Sequence, residues 1–124
     1  MKIILPMPPS VNRYWRSCRG RVFLSAEAKQ YKAQVALLAH AARLTPLQGE
    51  IILYADVYRE RRSGDLDNRL KAILDSLNKI AFNDDKQVVE IHARRFDDAK
   101  NPRVEIEVVE ISAPESQAAQ KGLK

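Results

Sequence analysis

A chain of 124 residues has room for one domain, and 45% hydrophobic residues allow it a core that is small relative to its surface. The net charge of +5 is unevenly placed, since Lys2, Arg13, Arg16, Arg19 and Arg21 all precede the first acid, Glu27. A single cysteine, Cys18, excludes an intrachain disulfide and a paired-cysteine zinc site, and no apolar run approaches the roughly 18 residues of a membrane span.

In chain order, Lys2 to Leu5 reads as a short strand stopped by Pro6, Pro8 and Pro9, which cannot donate ladder bonds. The apolar start is too short for a secretion signal, so the expected location is cytoplasmic. Residues 6–21 read as an irregular basic loop carrying Asn12, Tyr14 and Trp15. Val22 to Leu24 is a brief extended piece, and Ser25 can cap the helix that follows. Tyr31, Val35, Leu38 and Ala42 recur at helical spacing, which predicts a helix over residues 26–43 ending before Pro46.

Ile51, Leu53, Ala55 and Val57 alternate onto one face of a strand over residues 50–58. Leu66, Leu70, Ile73, Leu74 and Leu77 mark a second helix, from about Leu66 to Ile80. The segment FNDDKQ interrupts, and strands over Val88 to Phe96 and around Val104, Ile106 and Val108 follow. Residues 1–111 form the expected domain, and residues 112–124, rich in Ala, Gln, Ser and Lys, an expected disordered tail. The order β-α-β-α-β-β predicts an α+β fold: a mixed sheet with both helices on one face, two parallel crossovers and a final hairpin.

The chemistry concentrates in Arg61-Arg62-Ser63-Gly64-Asp65-Leu66-Asp67-Asn68. Asp65 and Asp67 flank one residue, so an extended approach to the helix points both carboxylates to one side. Such a pair suits a hard divalent ion, magnesium or manganese, and equally suits helix capping and the positive helix N-terminus. Asp84 and Asp85 follow the second helix, whose ends lie roughly 20 Å apart at 1.5 Å per residue. The chain must therefore fold back for the carboxylates to meet, and an ordinary polar turn competes as an explanation. Lys71, four residues after Asp67, either holds a phosphate or makes a surface pair; Asp75, one turn further, reads as surface or salt-bridged rather than catalytic. His40 and His92 are far apart and read as structural. The clusters Arg59, Arg61, Arg62 and Arg94, Arg95 join the N-terminal arginines as candidate phosphate contacts, against an ordinary solvated basic surface.

Taken together, LPMPPSVNRYWR, VFLSAEAKQYK, GDLDNRLKAILDSL and FNDDKQVVE make the chain resemble the RusA-type Holliday junction resolvases over most of residues 3–110. These are endodeoxyribonucleases often carried by prophages. The resemblance implies that Asp65, Asp67 and Asp85 are the acidic catalytic residues, with Lys71 beside them and Asp84 in support. It also implies a homodimer, magnesium dependence, and paired nicks in a four-way DNA junction. The basic stretch Arg59, Arg61 and Arg62 is shortened by Ser63-Gly64 relative to the family pattern, a departure that bears on DNA affinity. A non-catalytic DNA-binding module, or a metal nuclease acting on other branched DNA or on RNA, are the alternatives.

Overall fold

The computed structural model describes residues 1–60 and 66–112. Four strands form the main sheet: β1 (Lys2–Leu5), β4 (Glu50–Arg59), β5 (Val88–Asp97) and β6 (Arg103–Ser112). They lie in the order β1-β6-β4-β5, with β4 and β5 parallel and β6 antiparallel to both β1 and β4. The expected mixed α+β sheet is therefore present, but the expected β5–β6 hairpin is not. β6 instead inserts between β1 and β4. A physical reason lies in β4, whose Ile51, Leu53, Ala55 and Val57 are all buried. A central strand needs ladder partners on both edges, and β6 supplies the second while also pairing β1.

Two helices, α2 (Ala26–Ala41) and α3 (Leu66–Leu77), cover one face of this sheet. Ala28, Tyr31, Val35 and Ala39 of α2 and Ala72, Ile73 and Leu77 of α3 join Leu5, Val104, Ile106 and Val108 in one core. The predicted stripe was right at Tyr31 and Val35, whereas Leu38 is partly exposed. Ser25 caps α2 as expected, accepting from the Ala28 amide at 3.1 Å. Both helices end earlier than predicted, α2 at Ala41 and α3 at Leu77. The other sheet face carries stacked side chains, Tyr54 on His92 and Tyr58 on Phe96, with Arg103 lying 3.8 Å from the Tyr58 ring centre.

The segment expected to be irregular is ordered. A single turn, α1 (Val11–Tyr14), leads into a two-stranded hairpin of β2 (Trp15–Cys18) and β3 (Arg21–Leu24). Its two-residue loop, Arg19-Gly20, has φ of 52° and 77°. Positive φ at both positions is the geometry whose twist matches the flanking strands, and Gly20 adopts it without steric cost. The missed signal was Arg-Gly in place of the usual Asn-Gly. The tail beyond Ser112 lies outside the described residues, as do Arg61, Arg62 and Asp65.

Candidate active site

The acidic motif sits where β4 hands over to α3. Asp67 lies in the first turn of α3, and Lys71 follows one turn later with an exposed side chain. Asp65 and the side chain of Asp67 are outside the described residues. The body of α3 is held by a three-element junction at Asp75. Buried Tyr14 of α1 donates to Asp75 Oδ2 at 2.6 Å, and Lys32 of α2 lies 3.5 Å from the same oxygen. Burial first, then the Asp75 carboxylate, pushes the Tyr14 hydroxyl well above its ordinary pKa. Asp75 is thus ion-paired, as read from sequence, and it ties the basic N-terminal segment to the helix bearing Asp67 and Lys71.

Asp85 occupies a different corner. It opens a short 3-10 turn, Asp85–Gln87, immediately before β5. Asp84 caps that turn, its carboxylate accepting from the Lys86 amide at 2.9 Å. That bond holds Asp84 below the usual carboxylate range. Gln87 anchors the corner. Its amide nitrogen donates to the carbonyls of Leu47 and Gly49, both at 2.8 Å. Its oxygen accepts from the Asn83 and Asp84 amides at 2.8 and 3.0 Å. Asn83 also donates to Gln48 at 3.0 Å. The Asp85 side chain is exposed.

The register fixes how these corners relate. Val88 pairs with Ile51 and Asp97 with Arg59, so Asp85 stands at the beginning of β4 while α3 starts beyond its end. The end of α3 faces the Asp85 corner, because the Leu47 amide donates to the Ala81 carbonyl at 2.8 Å. Asp67 lies ten residues before the last residue of α3. At 1.5 Å per residue the Asp67 backbone is about 15 Å along the helix from that end. The register thus sets Asp85 and the start of α3 at opposite ends of β4, and the side chains of Asp65 and Asp67 that would meet Asp85 lie outside the described residues. Among the described residues, no three His, Cys, Asp or Glu side chains gather as metal ligands.

The basic candidates divide in the same way. Arg16, Arg19 and Arg21 are exposed on the β2–β3 hairpin, and Arg13 is exposed with a loose contact to Glu27 at 3.6 Å. Arg59 differs. Its side chain is 11% exposed and meets Asp97 at 2.6 Å, so its charge is engaged within the fold. Arg94 is likewise engaged, forked onto Asp56 at 3.0 and 2.9 Å. His92 stacks on Tyr54 and bonds Glu90, in keeping with a structural role. A hollow of about 950 Å³ is lined by Ile4, Tyr54, His92 and Glu105 among others, and Asp84 and Asp85 do not border it.

A model of the family described as "Endodeoxyribonuclease RusA" matches residues 6–109. The chain belongs to the RusA endodeoxyribonuclease family. Among its relatives, the crossover junction endodeoxyribonuclease RusA of Escherichia coli (strain K12) is 38% identical over 115 residues, covering 88% of this chain and 93% of that protein. The protein of the same name from Enterobacteria phage 82 is 37% identical with the same coverage, and that of Escherichia coli O139:H28 is 36% identical. Membership makes this RusA-family chain a DNA-cutting enzyme. No helix of the described residues is long and apolar enough to cross a membrane.

Proposed function

We propose that the chain resolves four-way DNA junctions by paired symmetric nicks, as a magnesium-dependent homodimer whose sites are shared. In each site Asp65 and Asp67 of one protomer meet Asp85 of the partner subunit. The observation that carries this reading is the β4–β5 register, which separates Asp85 from the start of α3. The Asp67 backbone lies about 15 Å along α3 from the helix end that faces the Asp85 corner, which supports a site shared between two copies over one made by a single chain. A two-fold axis is reciprocal: if Asp85 of one copy reaches the acidic motif of the other, the converse follows. Two equivalent sites about one axis also match a substrate whose opposing strands are cut at symmetry-related positions.

Carboxylates are the donors a hard divalent ion selects, and the exposed Asp85 is open to one. When bound there, such an ion would supply Lewis acidity towards the scissile phosphate and an attacking water. The chain's own residues do the rest. Asp65, Asp67 and Asp85 supply the negative charge that binds the ion, and Lys71 offers an ammonium to charge growing on the phosphate or leaving oxygen. Arg16, Arg19 and Arg21 on the hairpin grip the DNA backbone by displacing counterions.

Subunit mixing tests the reading. Asp67→Asn and Asp85→Asn should each cut four-way junctions orders of magnitude more slowly while still binding them. In an equal mixture half the dimers are mixed, and a shared arrangement leaves one of their two sites intact. Nicking should then return to about a quarter of the wild-type level, with complete resolution still rare. A silent mixture of two binding-competent variants contradicts the shared site, and near-normal cutting by either variant contradicts the metal site. Equal binding of junction and linear duplex, with neither cut in magnesium, would mark a non-catalytic binding module.

A further inference from the structure

Glu60 and Arg69, the described residues on either side of Asp65 and Asp67 nearest the motif in this cavity, line one hollow of about 380 Å³. Met7, Pro8 and Tyr31 give it an apolar wall, and Gln30 and Gln34, one turn apart on α2, give it an amide edge. The wall is built rather than incidental. Tyr31 donates its hydroxyl to the Pro6 carbonyl at 2.7 Å, and Ser25 donates to the Arg13 carbonyl, fixing the proline segment against α2.

Charge in the hollow is balanced. Arg13 stands 3.6 Å from Glu27, and the half-buried Arg69 feels the Glu60 carboxylate. Two cations facing two anions hold little net attraction for a bare phosphate. They suit a flat, neutral group with hydrogen-bond donors and acceptors on its rim and an apolar face. The volume is at the lower end of the roughly 300–1,000 Å³ of small-ligand clefts.

We propose that this cavity receives a nucleobase unstacked at the branch point beside the scissile phosphate, its face against Met7 and Pro9 and its edge on Gln30 and Gln34. The proposal rests on the junction-cutting reading above, because it takes its ligand from that substrate. Extruding a base from a paired duplex costs a few kcal/mol, and the cost is least where stacking is already broken. A branch point meets that condition. The cavity therefore adds a structural check that a continuous duplex fails, and a place where base identity can be read.

The test uses the full chain without divalent ion, so that nothing is cut. A four-way junction carrying 2-aminopurine at the branch should brighten about two-fold or more when bound, as the base leaves its stack. The double variant Gln30→Ala, Gln34→Ala changes two exposed positions, so it keeps the fold. It should bind with little loss of affinity yet abolish most of the brightening, and Gln34→Trp should do the same by filling the hollow. In magnesium, the double variant should also cut junctions with each of the four bases at that position at more nearly equal rates than wild type. Unchanged fluorescence with wild type bound, or equal brightening with the variants, overturns the proposal. Brightening without any cutting in magnesium would fault the catalytic reading and leave the cavity standing. Failure to bind branched DNA would overturn both.

Discussion

The two ends of β4 are held together by different chemistry. At the Gly49 end the bonds are mostly amide to amide or amide to carbonyl, centred on Gln87, with Glu110 accepting from the Gln48 and Gly49 amides at 3.0 and 2.7 Å. At the Arg59 end they are ionic: Arg59 on Asp97, and Arg103 on Asp98 and Glu105 at 3.0 and 2.7 Å. The first kind of bond is insensitive to salt and changes little with pH. It suits a corner that must present Asp85 in one place. The second is tunable by salt and pH, and it lies at the end of β4 from which the chain continues towards α3. Position and charge are thus assigned to opposite ends of one strand, and the acidic motif and Asp85 are divided between them.

The largest single effect outside the carboxylates is expected at the charged end. Lys71→Ala removes an exposed ammonium one turn from Asp67 and leaves the core untouched. If Lys71 stabilises charge that develops only in the transition state, turnover should fall by about 10²–10³ with junction affinity nearly unchanged. Equal losses in turnover and affinity would reduce it to a phosphate contact. At the amide end the effect should be smaller and of another kind. Gln87→Ala deletes four hydrogen bonds and should destabilise the fold by about 1–3 kcal/mol in urea denaturation. Cutting should drop by roughly ten-fold if Asp85 is no longer held, while junction binding, proposed to use the hairpin arginines, persists. Unchanged cutting by a destabilised Gln87→Ala would mean that this corner does not feed the site.

Much of this was legible in the sequence, and the failures have physical causes. The alternation from Ile51 to Val57 and the stripe from Leu66 to Leu77 identified a strand and a helix because burial imposes their periods directly. Strand order was not legible. Whether β6 pairs with β5 or slips between β1 and β4 depends on which edges are left unpaired, a property of the assembled sheet. The hairpin at Arg19-Gly20 hid within a basic, proline-led segment that shows no alternation. For the site, residue types and spacing left helix capping and a polar turn as equal readings, the family resemblance singled out Asp65, Asp67, Lys71 and Asp85, and the separation of the corners needed the parallel register. Arg59 was misleading for a related reason. Composition counts it among free cations, while the fold buries it against Asp97.

Smaller still is the salt response of the hairpin. Arg16, Arg19 and Arg21 are exposed on an element that packs little beyond its own strands, so single alanine replacements should leave stability within about 0.5 kcal/mol. Each that touches a phosphate should lower the slope of log affinity against log salt by about one unit. Slopes unchanged for all three would move the DNA track elsewhere on the surface.

The smallest effect expected is a pH dependence at the ionic end. Asp98 is held below the usual carboxylate range, first by the hydrogen bond from Arg103 and next by the Asn101 amide, which donates at 3.1 Å. A carboxylate whose folded pKa is depressed stabilises the fold fully above its unfolded pKa. That contribution is lost as pH falls through the lower, folded value. The Asp98 side chain is solvent-accessible, so the contribution is small and screened by salt. Asp98→Asn cannot titrate, so its stability deficit relative to wild type should be present near neutrality and shrink as pH is lowered from about 7 to about 3. The Gln87→Ala deficit, which comes from neutral amides, should keep its size over the same range. Urea denaturation of the three proteins at several pH values reads both trends. Parallel curves for Asp98→Asn and wild type would show that the turn from β5 to β6 is not held by charge, and the contrast between the two ends of β4 would then rest on the Arg59–Asp97 pair.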